Sequence, residues 1–356
     1  MERVTVRLGD RSYPIYIGAK VLPDIGQLCR PLNLSGRGVL ITNPIVGHLY
    51  TQSVLSSFEA GGIHLTLLEV PDGEESKNLQ EAGALYERLL PLGLDRQSPV
   101  VALGGGVIGD LAGFVAATFM RGLPLIQIPT TVVAQVDSSV GGKVGVNLPQ
   151  AKNMVGAFYQ PRLVLSDVCL LQTLPPREFH AGLAEVVKYG MIADKAFFEW
   201  LETNCPAILA RKEEVVVHIV KTSCMIKAAV VERDERDEGI RAVLNFGHTV
   251  GHALEAATGY RELSHGEAVA IGMVAAAQIS CQMGICGEEV PKRLAQLLER
   301  IGLPTSIPID PEKISGIISY DKKLKHNVTY FVLTKDVGDV TVAPVFDPVE
   351  ALRRLA

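Results

Sequence analysis

Three of the eight histidines in this chain of 356 residues fall within eighteen positions, a clustering that favours a metal site. His248 and His252 are four residues apart in a helical pattern and therefore share one face of the predicted helix. His265 opens the next helical pattern. Each of them alone is more simply explained as a satisfied core or capping residue. Together they indicate a site for zinc or a related ion, which neutral imidazole binds well.

Glu185 is the best candidate for the carboxylate that usually accompanies histidines in a catalytic metal site. It lies in the apolar segment 181–188, where a glutamate would be costly to bury without a cation. Lys188 follows three residues later and so lies on the same helix face. The apolar surroundings of Lys188 and the glycine-rich surroundings of Lys143 predict that both are buried. Several cations in one cleft would indicate a substrate with more than one anionic group.

A glycine-rich loop follows the predicted strand 100–103. The segment Gly104–Asp110 satisfies the pattern GxGxxG between a strand and a helix, where backbone N–H groups can approach a pyrophosphate. The pattern alone is weak, because glycine-rich turns also occur for packing reasons. The acidic residue expected at the end of the next strand is missing, since 126–131 reads IQIPTT. The acidic loop 72–75, after the predicted strand 65–70, is either its replacement or a solvated turn.

The first half of the chain alternates between strand and helix patterns, which predicts βαβ units around a mostly parallel sheet. The predicted strands are 39–42, 65–70, 100–103 and 125–128, and the clearest helices between them are 44–60 and 78–90. After about residue 175, helical patterns follow one another at 176–193, 212–233, 246–258, 267–283 and 291–301, and strand patterns return only at 329–345. We therefore expect two domains, 1–174 and 175–356, with a cleft at their boundary, a common place for ligands.

The composition favours a soluble cytoplasmic enzyme. A net charge of −5 gives no whole-chain basic footprint for nucleic acid. The N-terminus alternates like a strand and lacks the apolar core of a signal peptide. The six cysteines form no CxxC pair and are expected to be reduced thiols. The uncharged segment 268–287 is rich in Ala, Gly, Ser and Gln, which favours a core helix over a membrane span; a subunit interface is the alternative.

Six sequence blocks resemble the 3-dehydroquinate synthase family of sugar phosphate cyclases, in family order over nearly the whole chain. They are Gly104–Asp110, 136–158 (VDSSVGGKVGVNLPQAKNMVGAF), 184–190 (AEVVKYG), 244–255 (LNFGHTVGHALE), 264–273 (SHGEAVAIGM) and Asp321-Lys322-Lys323. The resemblance implies an N-terminal Rossmann-like α/β domain, a C-terminal all-helical domain, an active site in the cleft between them, and a homodimer.

The resemblance also implies a reaction, the conversion of 3-deoxy-D-arabino-heptulosonate 7-phosphate to 3-dehydroquinate with loss of phosphate. In this family the C5 alcohol is oxidised with NAD, which makes the C6 proton acidic, and phosphate is eliminated. The ketone is then reduced back, the ring opens, and an intramolecular aldol step closes the carbocycle. NAD is regenerated in each turnover.

The resemblance also implies roles for individual residues. Glu185, His248 and His265 would hold one divalent ion, zinc or cobalt, and His252 would carry the proton during oxidation. Asp137 would lie near the nicotinamide and the reacting hydroxyls. Further catalytic residues would be Lys143, Asn153, Lys188, Lys227 and Arg241, and further substrate-binding residues Arg121, Lys152, Asn245 and Lys323, with Lys322 as the alternative to Lys323. The NAD-binding residues would be Asp72, Glu75, Lys77, Gly105, Gly106, Val107, Asp110, Thr130, Thr131, Lys143, Lys152, Leu170 and Thr173.

Three competing interpretations remain open at this point. A related sugar phosphate cyclase would share NAD, metal and fold but close a different ring, although Arg241, Asn245 and His252 match the dehydroquinate pattern. A metal-dependent polyol dehydrogenase would release NADH as a product and would not need so many lysines that bind anions. A catalytically dead binding or regulatory module would not need the intact set of Glu185, His248 and His265.

Overall fold

The structure, a computed structural model, describes residues 1–259, 262–306 and 329–345. These residues form two compact units. The first contains Met1–Leu174 and Val216–Arg236, and the second contains Pro175–Val215 and the described residues from Asp237 onward.

A seven-stranded sheet lies at the centre of the first unit. The strands of this unit are β1 (Glu2–Val6), β2 (Tyr13–Gly18), β3 (Arg37–Thr42), β4 (His64–Glu69), β5 (Val100–Gly104), β6 (Leu125–Pro129), β7 (Lys143–Leu148), β8 (Ala151–Phe158) and β9 (Leu163–Asp167). The sheet has the order β1-β2-β9-β6-β5-β3-β4. β1 and β2 are antiparallel and every other pair is parallel. Every residue of β5, β6 and β9 is buried, as expected for parallel strands with both faces covered. The predicted parallel α/β sheet is confirmed.

Four α-helices accompany this sheet: α1 (Ile25–Cys29), α2 (Pro44–Ala60), α3 (Leu79–Leu89) and α4 (Gly106–Thr118). α2 and α3 each begin after an asparagine, because the side-chain oxygens of Asn43 and Asn78 accept hydrogen bonds of 2.8 Å from the backbone N–H groups of Val46 and Glu81. β3 leads through α2 to β4 on one side, whereas β5 and β6 lie on the other side of β3. The carboxyl ends of β3 and β5 therefore flank the point where the strand order reverses, the usual ligand position in open α/β sheets.

β7 and β8 form a separate antiparallel hairpin that the sequence patterns did not predict. Val144 and Val146 of β7 are buried, and Val144 packs into the core beneath the glycine at position 113 of α4. Lys143 begins β7 and is exposed, so its predicted burial is wrong. Gly141 and Gly142, which precede Lys143, have φ values of +95° and +67°, so the glycines meet a backbone requirement that says nothing about where the lysine side chain points.

The second unit is built mainly from α5 (Pro176–Ala193), α6 (Lys195–Leu209), α8 (His248–Ala257), α9 (His265–Gln282) and α10 (Glu289–Ile301). α6 was not predicted, and α7 (Glu213–Arg233) connects the two units in sequence. The predicted helical C-terminal part is confirmed, but it is not all-helical. β10 (Thr329–Asp336) and β11 (Asp339–Val345) form an antiparallel hairpin where strand patterns return in the sequence, and Phe331 and Leu333 of β10 pack in the core with α8 and α9.

α7 groups with the first unit, although the boundary expected at residue 175 placed it in the second. Two of its buried residues bond to the π-helical turn Ala134–Ser138. Lys227 Nζ lies 2.7 Å from both the carbonyl and the carboxylate of Asp137, and the Cys224 thiol donates to the carbonyl of Gln135 over 3.3 Å. These long-range polar contacts leave no periodicity in the sequence.

α9 is a core helix of the second unit, because residues 268–277 are all buried within the single chain. Their burial within one chain favours the core reading over the subunit-interface alternative. Two glycines allow this packing. A Cβ on Gly266 would lie 1.9 Å from the carbonyl oxygen of Ala181 in α5, and one on Gly272 would lie 2.0 Å from that of Gly247. Among the described residues, no helix combines the length and the apolar character required to cross a bilayer.

Candidate active site

Glu185, His248 and His265 lie together in the second unit, and their ligand atoms are all within 4.8 Å of one another. Glu185 Oε1 is 3.6 Å from His248 Nε2 and 3.5 Å from His265 Nε2. These separations are long for hydrogen bonds, and within the described part of the chain the buried Oε1 atom forms none. Two ligand atoms each ~2.1 Å from a tetrahedral zinc ion would lie ~3.4 Å apart. The three side chains therefore fit one zinc-type ion.

Both histidines present the same ring nitrogen to Glu185. His248 Nδ1 lies 3.2 Å from the carbonyl oxygen of Phe246, and His265 Nδ1 lies 3.4 Å from Glu255 Oε1. A proton on each Nδ1 would leave the Nε2 lone pairs directed at the position beside Glu185, as metal-ligating histidines require.

The side chains of the cluster differ in the direction in which their pKa values are shifted. Burial alone would raise the pKa of Glu185, but the Lys188 ammonium, ion-paired with Glu185 Oε2, and the two imidazoles hold that pKa well below its usual range. Burial, assisted by Lys188, lowers the pKa of His248 to about 3, so its ring is neutral. Burial also acts against the charged form of His265, yet the carboxylates of Glu185 and Glu255 outweigh it and raise its pKa to about 10. An ion bound here would therefore replace a proton on His265.

His252 lies beside this cluster but is not one of its three members. It is exposed, and its ring centroid is 5.3 Å from that of His248 and 6.1 Å from that of His265. An accessible imidazole next to a cation site is well placed to carry a proton.

The candidates for NAD binding all lie in the first unit, and all but Lys143 and Lys152 of the hairpin β7–β8 follow the carboxyl ends of its parallel strands. Asp72 and Glu75 follow β4, Gly105 and Gly106 follow β5, Thr130 and Thr131 follow β6, and Leu170 and Thr173 follow β9. Asp72 accepts a hydrogen bond of 2.6 Å from Asn43, the residue after β3. Tyr50 of α2 bonds to the Thr173 hydroxyl at 2.5 Å and donates to the Leu170 carbonyl at 3.3 Å.

The glycine loop leaves no room for larger residues. α4 starts at Gly106 without a side-chain cap, so its first N–H groups are available to an anion. A Cβ on Gly105 would lie 3.1 Å from a Thr131 carbon, and one on Gly106 would lie 3.2 Å from Ser138 Oγ. Val107 is in the same first turn and is half-buried. This arrangement suits a phosphate group close to the backbone.

Lys77 links two other candidate residues. Its buried ammonium lies 2.5 Å from Asp110 Oδ2 and 2.6 Å from Asn153 Oδ1. Asn153 has a φ of +58°, a conformation that asparagine tolerates better than most residues. Lys77 thereby connects the first turns of α4, through Asp110, with the hairpin strand β8, through Asn153.

The remaining candidates are spread over both units. Lys143, Lys152 and Arg121 are exposed in the first unit, and Arg121 has a φ of +65° in a tight turn. In the second unit Arg241 is buried and Asn245 is exposed in the three-ten segment Ile240–Asn245. Lys322 and Lys323 lie outside the described residues.

Glu255 is a site residue that the sequence reasoning did not identify. It is buried near the end of α8 and, with His252 and His265, forms a second group whose ligand atoms lie within 4.8 Å. A usable signal was present, because Glu255 follows His252 by three residues and His248 by seven and so shares their helix face.

Comparisons with known proteins resolve the family. A family model described as 3-dehydroquinate synthase N-terminal matches residues 67–181, and one described as 3-dehydroquinate synthase C-terminal matches residues 182–324. The chain belongs to the 3-dehydroquinate synthase family. The 3-dehydroquinate synthase of Geotalea uraniireducens is 49% identical over 354 residues, which cover 99% of this chain and 98% of the relative. That of Symbiobacterium thermophilum is 50% identical and covers 98% of this chain and 100% of the relative.

Solved structures of other sugar phosphate cyclases have the same fold. A 2-deoxy-scyllo-inosose synthase complexed with carbaglucose-6-phosphate, NAD+ and Co2+ has a TM-score of 0.91 at 29% identity, with 100% of both chains covered. A 2-epi-5-epi-valiolone synthase from Streptomyces hygroscopicus with NAD+ and Zn2+ bound has a TM-score of 0.88 at 24% identity, with 98% of both covered. Glycerol dehydrogenase from Schizosaccharomyces pombe has a TM-score of 0.69 at 16% identity, with 96% of this chain and 88% of that chain covered, and shares the fold alone. These other cyclases and the dehydrogenase are therefore less similar to this chain in sequence than the two 3-dehydroquinate synthases are.

Proposed function

We propose that this chain converts 3-deoxy-D-arabino-heptulosonate 7-phosphate to 3-dehydroquinate and phosphate, with NAD and one divalent metal ion as cofactors. The observation that carries the proposal is the cluster of Glu185, His248 and His265, with His252 beside it, in a chain about half identical to 3-dehydroquinate synthases over nearly its full length. When bound, the ion would polarise the substrate hydroxyls and so lower the barrier to alkoxide formation. NAD, when bound after the carboxyl ends of β4, β5, β6 and β9, would supply a reversible hydride acceptor.

His252 is the residue we assign to proton transfer. Its ring is accessible and lies off the Glu185 cluster, so it can take the proton of a substrate hydroxyl and return it later in the cycle. The Lys188 ammonium neutralises the buried Glu185 carboxylate. Without that lysine the carboxylate would carry its desolvation cost with only the two imidazoles for support.

Asp137 and Lys227 form the second functional pair of the proposal. Lys227 binds both the carbonyl and the carboxylate of Asp137, which holds that carboxylate in one orientation within the first unit. We assign this fixed carboxylate to the reacting hydroxyls and Lys227 to substrate contact beside it.

The anionic groups of the substrate require several cations. We assign the exposed Lys143, Lys152 and Arg121 to these anionic groups, and Arg241, Asn153 and Asn245 to the carboxylate and ring hydroxyls. Lys323 completes the set as a prediction outside the described residues. A phosphate plus a carboxylate accounts for more basic residues than a neutral polyol would need.

A homodimer and a cytoplasmic location are further parts of the proposal. The cytoplasmic location agrees with six cysteines that are all free thiols. Sedimentation analysis of the loaded enzyme tests the dimer, for which a monomer at assay concentration would be the contrary result.

Product identification tests the proposed reaction. Metal-replete protein with NAD is incubated with the heptulosonate 7-phosphate, and the organic product is followed by NMR. We expect a carbocyclic ketone that retains the carboxylate, together with free phosphate. A sugar phosphate that lacks the carboxylate serves as the matched substrate and should react poorly, because the cations assigned to the carboxylate would be unpaired. Preference for that second substrate would instead support a related cyclase.

A further inference from the structure

Glu255 has no role in the proposed reaction, yet it is a buried carboxylate at the edge of the metal cluster. It is only 8% exposed on α8, and its Oε1 atom lies 3.4 Å from His265 Nδ1. The other nitrogen of the same ring, Nε2, lies 3.5 Å from Glu185 Oε1. The His265 imidazole therefore lies between two carboxylates, one on each side.

The two contacts give the two ring nitrogens of His265 different functions. A carboxylate only accepts hydrogen bonds, so the proton of a neutral His265 belongs on Nδ1, next to Glu255. Nε2 then carries the lone pair and faces the position that Glu185 and His248 also face. A carboxylate behind a histidine fixes the tautomer and ring orientation and makes the imidazole a stronger ligand.

His248 offers an internal comparison. Its Nδ1 atom is fixed by the Phe246 carbonyl, a backbone group, and its side chain is 13% exposed. The His265 side chain is 39% exposed and therefore has less packing around it to fix its orientation. We conclude that the orientation of His265 depends more on a neighbouring side chain than the orientation of His248 does.

We propose that Glu255 is a positioning residue that fixes His265 in the orientation and tautomer that bind the divalent ion, and that it thereby sets metal affinity. The inference rests on the assignment of His265 as a metal ligand in the proposed function. Glu255 acts through His265 and itself touches neither substrate nor metal.

Metal affinity without substrate tests this role. Zinc and cobalt dissociation constants are measured on the full chain by competition with a chromophoric chelator, for the unchanged protein and for Glu255→Gln and Glu255→Ala. Glu255→Ala should weaken binding by about 10–100-fold, the usual effect of removing such a partner. Glu255→Gln should weaken it less, because the amide oxygen can still accept from Nδ1. Glu289→Gln, the same chemical change on the exposed first turn of α10, should leave affinity unchanged.

The visible absorption spectrum of bound cobalt supplies a readout that a purely structural role would not move. We expect Glu255→Ala to change the intensity and position of the cobalt bands, and Glu255→Gln to remain close to the unchanged protein. Unchanged affinity and spectrum in Glu255→Ala would overturn the proposal. The proposal would also be overturned if the unchanged protein bound two cobalt ions and Glu255→Ala bound only one, because Glu255 would then itself be a ligand.

His265→Ala separates this failure from failure of the ligand assignment. If His265→Ala binds metal as tightly as the unchanged protein, His265 is not a ligand and both assignments fall. If His265→Ala loses the metal while Glu255→Ala retains it fully, the ligand assignment stands and only the positioning role is rejected.

Discussion

Glu185 is 1% exposed in an apolar helix segment, and its ionised form is maintained by the groups around it. An isolated carboxylate in such a place would take up a proton, but Lys188 and the two imidazoles favour the charged form. The identities of these residues could be predicted from sequence, because helical spacing places Lys188 near Glu185 and His252 near His248. The contact between Glu255 and His265 could not, since it joins two helices and depends on their packing.

Removal of a ligand should abolish metal binding. Glu185→Ala or His248→Ala leaves only two protein ligands. Loss of a residue that merely supports a ligand weakens metal binding by up to about 100-fold, so we expect a larger fall in metal affinity here, with activity falling in parallel. Metal content after dialysis, measured by elemental analysis, checks this. Full zinc content with full activity in either variant would refute the ligand assignment.

His252→Ala is the contrasting variant on the same helix face. It should retain the metal, because His252 is not a member of the group Glu185, His248 and His265, and should lower kcat by about 100-fold or more through loss of proton transfer. Metal content and kcat measured on one preparation distinguish the two roles. A metal-free variant would make His252 a ligand.

The helices of the second unit that carry Glu185, His248 and His265 are positioned by tight packing and by a cap. Ser264 precedes the first residue of α9 and forms a capping box with Glu267, and Arg177 of α5 binds both oxygens of Glu267 at 2.8 and 2.7 Å. The bounds of α2 and α5 could be read from sequence to the residue, since prolines and apolar periodicity mark them. α6 was missed, with a proline at position 206 inside it, and so was the hairpin of β7 and β8, although its strands are adjacent in sequence and pair from Lys143 with Phe158 to Leu148 with Ala151.

Substitution of the helix-contact glycines should destabilise the chain. Gly266→Ala and Gly272→Ala place a Cβ 1.9 and 2.0 Å from backbone oxygens that have little freedom to move, which should cost about 1–3 kcal/mol or more. Gly83→Ala in α3 is the control, because a Cβ there meets nothing within 4 Å and should stabilise by about 0.5–1 kcal/mol. Urea unfolding of the three variants measures these changes. Equal stability of Gly266→Ala and Gly83→Ala would contradict the packing.

Acid should weaken the cap of α9. The hydrogen bond with Arg177 is the largest of the effects that lower the pKa of Glu267 from its usual 4.5. The ionised Glu267 carboxylate therefore contributes to stability above pH 4.5, and this contribution is lost as the pH falls through the lowered pKa. Glu267→Gln should therefore be less stable than the unchanged protein at neutral pH, and the difference should shrink as the pH falls below 4.5. Urea midpoints across this range provide the measurement. A difference that stays constant with pH would show that the charge of Glu267 is not involved.

At the scale of the whole molecule, the chain has a fold that dehydrogenases share, whereas the proposed reaction is redox-neutral. The similarity to glycerol dehydrogenase concerns the fold alone, so the distinction depends on what happens to phosphate and to the reduced cofactor. Sequence predicted the parallel sheet and the helical C-terminal part because local periodicity encodes them. It placed α7 in the second domain, whereas most of α7 groups with the first unit, where Lys227 and Cys224 bond to the turn Ala134–Ser138.

The most direct test of the central claim is the ratio of phosphate released to NADH accumulated when the heptulosonate 7-phosphate is added to metal-replete protein. Both quantities are followed in one cuvette, with a chelator-treated sample alongside. We predict many phosphates released per NAD, no net NADH, and loss of phosphate release after chelation. Sustained NADH production without phosphate release would contradict the account and indicate a dehydrogenase.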